Sequence, residues 1–564
     1  MNVQSYDWNV VWKKLPWKKF QKNLYRLQSR IYRNVKLGKL NRAKKLQRFL
    51  IRSKSAIFLA VRQVTQLNKG KRTAGIDGQK SLNPQERVKL ADALHKKGLK
   101  WEHKGLRKIN IPKPDGTQRS LHIPTLGDRA YQCLLKYALE PAHEATFLAQ
   151  SHGFRLGRSV HEALQNIAGC IVSGKTDTWI LDGDIEKCFD RINHQYLLNN
   201  LICDKTVYRA IKQVLKAGVE PEFTSTQTGT PQGGVISPLL ANIALHGIEG
   251  KRLYRYKNDR KQICRASIIR YADDFVVICK DLTKLGEIKA EIEAKLAERG
   301  LKLNEGKTRL VKASEGFDFL GHHCQLYPDK VFRMKPSKES ITRLLRKVKH
   351  IVRKSRHLSW ETLISKLNPL LRGWWNFYRF CGNRSLSDSR VRKSLLYIIR
   401  KWFLRKRGKT VKDFVQFYKT EGQKLVSTGN CPTEKWIKVQ GEKSYFDGDL
   451  NYWTKREKPF YNSIYSKKLT QQKFQCCHCG LNLISEVESL KLHHVDGNHN
   501  NWKLSNLQIL HRSCHQQQTI HQERIKQGKR ETNTKLRKQG CGQTHIEPEC
   551  SKLDFLALLN QGMK

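Results

Sequence analysis

The stretch SIIRYADDFVVICK, residues 267–280, sets two adjacent carboxylates, Asp273 and Asp274, inside an otherwise apolar run. Such a run reads as two strands folded back on one another with the acidic pair at the turn. Asp is a common turn residue, so a hairpin tip alone accounts for the pair. A metal site demands more. Two divalent ions about 3.5–4 Å apart need bridging oxygens, and therefore a third carboxylate from another strand. The segment TWILDGDIEKCFD offers one: it is apolar through Trp179, Ile180 and Leu181 and then carries Asp182, Asp184 and Asp190. A strand ending at Asp184 beside the 273–274 hairpin gathers three carboxylates whose repulsion is tolerable only with cations between them. The hard ion expected there is Mg2+, and its chemistry would be nucleotidyl transfer.

Charge narrows the partner. Lys and Arg number 107 against 49 acidic residues, a formal net charge of +58 spread over nearly the whole chain. Self-repulsion makes that a burden unless a polyanion neutralises it. A membrane is the competing polyanion, but no segment approaches the run of about 18 apolar residues that a spanning helix needs. The N-terminal stretch MNVQSYDWNVVWKKLPWKKF has no secretory apolar core. The 15 cysteines are mostly scattered, as in a reducing compartment. Nucleic acid is the expected partner, with no membrane. A bacterial cytoplasmic location is expected, with an organelle as the alternative because the N-terminus is basic and amphipathic.

At 564 residues several domains are expected. Residues 1–70 read as a basic helical extension, with Leu24, Leu27, Ile31 and Val35 at helical spacing. Residues 71–330 alternate strand-like and helical runs, an α+β region. From 331 to 420 the pattern is helical and cationic, and Ile341, Leu344, Leu345, Val348 and Ile351 form one apolar stripe. Trp374, Trp375, Phe377 and Tyr378 are interleaved with cations, which suits RNA backbone and unpaired bases, although core packing also explains most aromatic residues. Residues 421–470 are basic and aromatic with few periodic cues, and are assigned to DNA binding. Residues 471–530 hold a Cys/His cluster; 531–564, with Cys541 and Cys550, has no assigned role.

The motifs AGIDG (74–78), IPKPDGTQRSLHIPT (111–125), SHGFRLGRSVHEAL (151–164), DGDIEKCFD, TGTPQGGVISPLLANIAL, YADD, GLKLNEGKTRL (300–310) and FDFLG (317–321) follow in this order. The series resembles the reverse transcriptases encoded within group II introns. The resemblance implies a right-hand fingers and palm over 71–330 and an α-helical thumb/maturase domain over 331–420. It implies Asp184 and Asp273 as the principal ligands of two Mg2+ ions, with Asp274 supporting. Phe189 would lie under the incoming sugar and favour dNTPs. Lys113, Arg119, Arg155, Gln232 and Lys307 would complete the dNTP pocket, though exposed cations and a Gly-Gly turn also explain these residues.

At the C-terminal end, CCHCG (476–480), LHHVDGNHNN (492–501) and NLQILHRSCHQQQT (506–519) carry metal-ligand spacings. This part resembles an HNH endonuclease, a small zinc-containing ββα domain. The resemblance implies a structural Zn2+ on Cys476, Cys479, His511 and Cys514, with Cys477, His478 and His499 as rival ligands. His494 would be the general base, His493 and His515 would hold one catalytic divalent ion, and Asn506 would fix the His494 loop. A zinc knuckle that binds DNA without cutting is the blander alternative, but it has no need of His493, His494 and His515.

Together these imply an RNA-directed DNA polymerase that binds its intron RNA to promote splicing and nicks target DNA, priming reverse transcription there. Intron RNA, target DNA and dNTPs are the implied partners, and monomer or dimer stays open. The alternative is an RNA-binding splicing chaperone without polymerase activity, against which the intact Asp184, Asp273 and Asp274 argue. Other reverse transcriptase classes lack the thumb, maturase and HNH parts together.

Overall fold

The computed structural model describes residues 7–522 apart from 113–115, 173–177, 222–227, 251–253, 258–262, 356, 383–384, 406–408, 428–433, 458–462, 484–489 and 500. Lys113 and the 531–564 tail fall outside the described residues. Helices Trp8–Lys14, Trp17–Lys36, Leu40–Arg52 and Lys54–Arg62 form the N-terminal part. Leu27, Ile31 and Val35 make the buried face of the second, as their spacing requires. These helices pack on Leu126–Glu144, which Thr125 caps and which is buried almost throughout. A hairpin of β1 (Arg107–Pro112) and β2 (Gln118–Ile123) projects beside it.

The central sheet contains β3 (Trp179–Gly183), β4 (Tyr254–Lys257), β5 (Ile263–Tyr271), β6 (Asp274–Cys279) and β7 (Arg309–Lys312), in the antiparallel order β4-β5-β6-β3-β7. The unbroken apolar run of β6 has a direct cause: both faces are covered. Phe275, Val277 and Cys279 enter the main core, while Val276 and Ile278 join Ile180 and Ile269 in a second core. Successive side chains of a strand point to opposite faces, so a strand buried on both sides needs apolar residues at every position. The helix Val160–Val172 and the three-stranded sheet of β8 (Phe317–Phe319), β9 (His322–Leu326) and β10 (Phe332–Pro336) cover that second face.

Helices Lys338–Lys354, Trp360–Tyr378 and Ser385–Phe403 follow, the first two capped by Ser337 and Ser359. Ile341, Leu344 and Val348 of the predicted stripe are buried in their own core with Trp375, and Leu345 and Ile351 flank it.

The chain then turns back, and part of the 421–470 segment assigned to DNA binding packs inward. Val439, Tyr445, Phe446 and Trp453 belong to the main core rather than to a basic surface. The anchor is Glu162, whose carboxylate accepts from Trp436 Nε1 (2.8 Å), Val439 N (2.7 Å) and Arg456 Nη2 (2.8 Å). Glu162 and Arg456 side chains are 1% and 4% exposed. Breaking one partner of a buried ion pair leaves the other uncompensated. Glu162→Ala is therefore expected to cost about 3–5 kcal/mol, read as a lowered denaturant midpoint.

A last unit holds the helix Ser463–Gln471 and an antiparallel pair, β11 (Leu490–His494) and β12 (Leu507–His511), followed by helical residues 512–522. Among the described residues no helix is long and apolar enough to cross a membrane.

Candidate active site and metal centre

The sheet register assembles the acidic site. Gly183 of β3 pairs with Phe275 of β6, so Asp184 emerges beside the β5–β6 turn that carries Asp273 and Asp274. A Cβ at Gly183 would lie 2.3 Å from the Phe275 ring, so only Gly lets the strands close here. Asp184 Oδ2 accepts from Asn304 Nδ2 (3.1 Å) and faces Lys307 Nζ at 3.4 Å. Burial, with Asp184 adding its charge, raises the Asp273 pKa. Burial and then the charges of Asp273 and Asp184 push Asp274 up to about 7. Half-buried carboxylates gathered at one turn are a donor set suited to a hard divalent cation. Asp182 does something else: with Arg309, Asp318 and His323 it lines a separate cavity of about 180 Å³.

Phe189 is half-buried one turn beyond Asp184, edge-on to the exposed Phe154 at 6.4 Å. Gln232 links two sides of the site. Its Oε1 accepts from Arg119 Nε (2.8 Å), its Nε2 donates to Asp190 Oδ1 (3.1 Å), and its carbonyl accepts from His122 N of β2 (2.6 Å). Arg119 also bears electrostatically on Asp273. Arg155 is not part of this group. Its Nε and Nη2 are bound by Glu144, its Nη1 donates to the Leu148 and Ser151 carbonyls, and its side chain is 3% exposed. With four of its five N–H donors engaged inside the protein and its guanidinium buried against Glu144, Arg155 acts as an internal brace, and its assignment to the dNTP pocket is corrected accordingly.

The structure adds residues the sequence reading passed over. Asn304 holds Asp184, and Arg270, immediately upstream of Tyr271, lies fully buried against Glu249. The signal was available: a cation stands inside an apolar strand.

In the C-terminal unit the ligand atoms of Cys476, Cys479, His511 and Cys514 all lie within 4.8 Å of one another. Among the described residues this is the one such group; Asp184, Asp273 and Asp274 do not form another. His511 Nδ1 is 3.4 Å from Cys479 Sγ and 3.9 Å from Cys514 Sγ. Its Nε2 meets the Asn482 carbonyl at 3.1 Å, which fixes the tautomer with Nδ1 free to ligate. Three thiols and such an imidazole fit a closed tetrahedral zinc site. The rival ligands lie elsewhere: Cys477 is exposed, His478 sits between Gln517 and Gln518, and His499 packs on His494.

His493 and His515 rings lie 5.2 Å apart, edge to face. His494 is buried against His499 and Trp502, and neither ring nitrogen has a hydrogen-bond partner among the described residues. Asn506 ties down the loop after it: its carbonyl accepts from Val495 N (2.9 Å), and its side chain bonds Asp496 N (3.0 Å) and Asp496 Oδ1 (2.9 Å).

Comparison with known families matches three models in succession. Residues 12–94 match the N-terminal domain of reverse transcriptase, 111–324 the reverse transcriptase (RNA-dependent DNA polymerase) domain, and 341–417 the group II intron maturase-specific domain. Maturase-like protein 1 of Euglena gracilis is 30% identical over 378 residues, covering 66% of this chain and 78% of that protein. The chain belongs to the family of group II intron reverse transcriptases and maturases. Protein YkfC of Escherichia coli (strain K12) is 33% identical over 302 residues, 46% of this chain and 78% of that protein. Group II intron-encoded protein LtrA of Lactococcus lactis subsp. cremoris is 30% identical over 347 residues, 50% of this chain and 57% of that protein. The family's domain matches end at residue 417, ahead of the Cys/His centre.

Proposed function

We propose that the chain copies RNA into DNA at Asp184, Asp273 and Asp274, assists splicing of its intron RNA, and nicks the DNA target that primes the copying. The convergence of these three carboxylates at one end of the sheet carries the reading. They would hold Mg2+, which when bound lowers the pKa of a primer 3'-hydroxyl and stabilises the leaving pyrophosphate. The chain's own residues do the rest. Phe189, half-buried a few residues beyond Asp184, would offer its ring to the incoming sugar and disfavour a 2'-hydroxyl there. Arg119, oriented by Gln232, bears a cation toward the triphosphate, and Lys307 holds another beside Asp184. The cationic faces of the 338–403 helices suit an RNA backbone, and Phe377, 37% exposed, offers a ring to an unpaired base.

The nicking step belongs to the C-terminal unit. The partner-free, buried His494 is suited to take a proton from water, His493 and His515 would hold a divalent ion, and Asn506 orients the loop. His494→Ala is expected to lower nicking of duplex target DNA by about 10²–10⁴-fold, the usual range for a general base. cDNA synthesis from an already annealed primer should be unchanged. Parallel loss of both activities would refute separate sites, and nicking at the wild-type rate would leave a DNA-binding knuckle.

A further inference from the structure

The Asp273 turn is held in a backbone conformation that its sequence does not favour. Ala272, which precedes Asp273, has φ +59°. A residue with a Cβ is strained in this left-handed region, so the conformation persists only where its surroundings enforce it. The enforcing group is Arg270. Its side chain is 0% exposed, as is that of its ion-pair partner Glu249. Nε donates to Glu249 Oε1, Nη1 to Asn242 Oδ1 (3.1 Å) and to the Ala272 carbonyl (2.9 Å), and Nη2 to Ser151 Oγ (2.7 Å). Holding the Ala272 carbonyl fixes the peptide plane that leads directly into Asp273.

The opposite side of the turn is closed as well. A Cβ at Gly153 would lie 2.3 Å from Ala272 N, so the 151–153 segment is pressed against the turn. Asn242 Nδ2 donates to the Gly153 carbonyl (2.8 Å), joining that floor to the group Arg270 already holds. Backbone bonds from His152 N to the Arg270 carbonyl (2.9 Å) and from Arg270 N to the Gln150 carbonyl (3.0 Å) complete the clamp. Two charges taken fully out of water are a costly way to fill a core, and apolar residues would often do so at no loss of stability. A planar fork that engages four separate segments is what apolar residues, or a Lys, could not replace.

We propose that Arg270, seated by Glu249, is a positioning residue that sets the Ala272–Asp273 turn for divalent-metal binding. The proposal rests on the reading of Asp273 as a metal ligand. Arg270 touches neither substrate nor metal; it acts through the Ala272 carbonyl, so its loss should weaken the metal site before it alters nucleotide binding.

The test is Arg270→Lys on the full chain with an annealed RNA template and DNA primer. The Mg2+ concentration for half-maximal extension is expected to rise by about ten- to hundredfold, the range for groups that orient metal ligands. Mn2+ affinity of the same complex, read from the free-ion EPR signal, should fall in step, while KM for dNTP at saturating Mg2+ stays near the wild-type value. Adding Ala272→Gly to Arg270→Lys should restore part of the metal affinity, because Gly adopts positive φ without strain. A folded Arg270→Lys with unchanged Mg2+ midpoint and Mn2+ affinity overturns the proposal. If that variant does not fold, Glu249→Gln, which retains an acceptor for Arg270 Nε, carries the same expectations and the same refutation. Failure of the underlying reading looks different: Mn2+ binding to the wild type would then be unaffected by Asp273→Ala.

Discussion

Asp273→Ala is expected to reduce RNA-templated primer extension by about 10³-fold or more. Metal-ion stabilisation of a phosphoryl transition state is worth several kcal/mol, and each 1.36 kcal/mol is tenfold in rate. Asp274 remains beside residue 273 as the supporting carboxylate, but no further carboxylate stands ready to take its place. Asp184 is engaged by Asn304 and Lys307, and Asp182 lies in its own cavity with Arg309. Folding should survive, because removing Asp273 relieves repulsion at a half-buried site where its own pKa is already raised by burial. RNA affinity should survive too, since the net charge of +58 is distributed along the chain. The measurement is single-turnover extension with equal amounts of folded protein and bound template. Extension at the wild-type rate would remove the palm assignment altogether.

The second large effect concerns the Cys/His centre. Cys476→Ser is expected to empty the site and unfold residues 463–522 while the remainder stays folded. The unit's own apolar core is small, with Leu469, Leu483, Ile509 and Leu510 buried beside the cysteines. At about 1.5–3 kcal/mol per buried side chain these cannot offset about 1–2 kcal/mol of backbone entropy for each residue ordered. A structural zinc contributes about 10–16 kcal/mol of apparent binding free energy in small zinc domains, enough to decide whether the unit folds. Elemental analysis should fall from one zinc per chain to near none. Limited proteolysis should cut within 463–522 and spare the rest, with primer extension retained. Full zinc content and an intact digestion pattern in the variant would show that Cys476 is not a ligand.

Several elements were legible because their signals are local. The apolar runs around Asp182–Asp184 and Asp273–Asp274 marked strands, and their charges marked ends where water or a cation must be met. The stripe through Ile341, Leu344 and Val348 marked the buried face of a helix, which the structure places in a core of its own. The metal-ligand spacings marked the Cys/His stretch, the family resemblance implied Cys476, Cys479, His511 and Cys514 with Cys477, His478 and His499 as rivals, and the fold gathers the first four.

Other residues were misread or missed because their partners are distant. Arg155 stands in a motif expected near nucleotide, yet the carboxylate that occupies it is Glu144. The aromatic, basic segment after residue 421 gave few periodic cues, and its anchor is distant: Trp436 and Arg456 are bound to Glu162, over 270 residues upstream. Arg270 gave a visible anomaly, but nothing local pointed to Glu249, Asn242 and Ser151 as its partners.

By itself the sequence determined the kinds of chemistry present: clustered carboxylates, a thiol-rich ligand set, a cationic chain built for a polyanion, and the period of each strand and helix. Only the tertiary structure decided which charge neutralises which, and hence which cations are free for substrate and which are braces. The physical reason is that periodicity and composition act over a few residues. The pairing of a buried charge is settled instead by whichever group the fold brings within about 3 Å, because burial without a partner costs too much to persist.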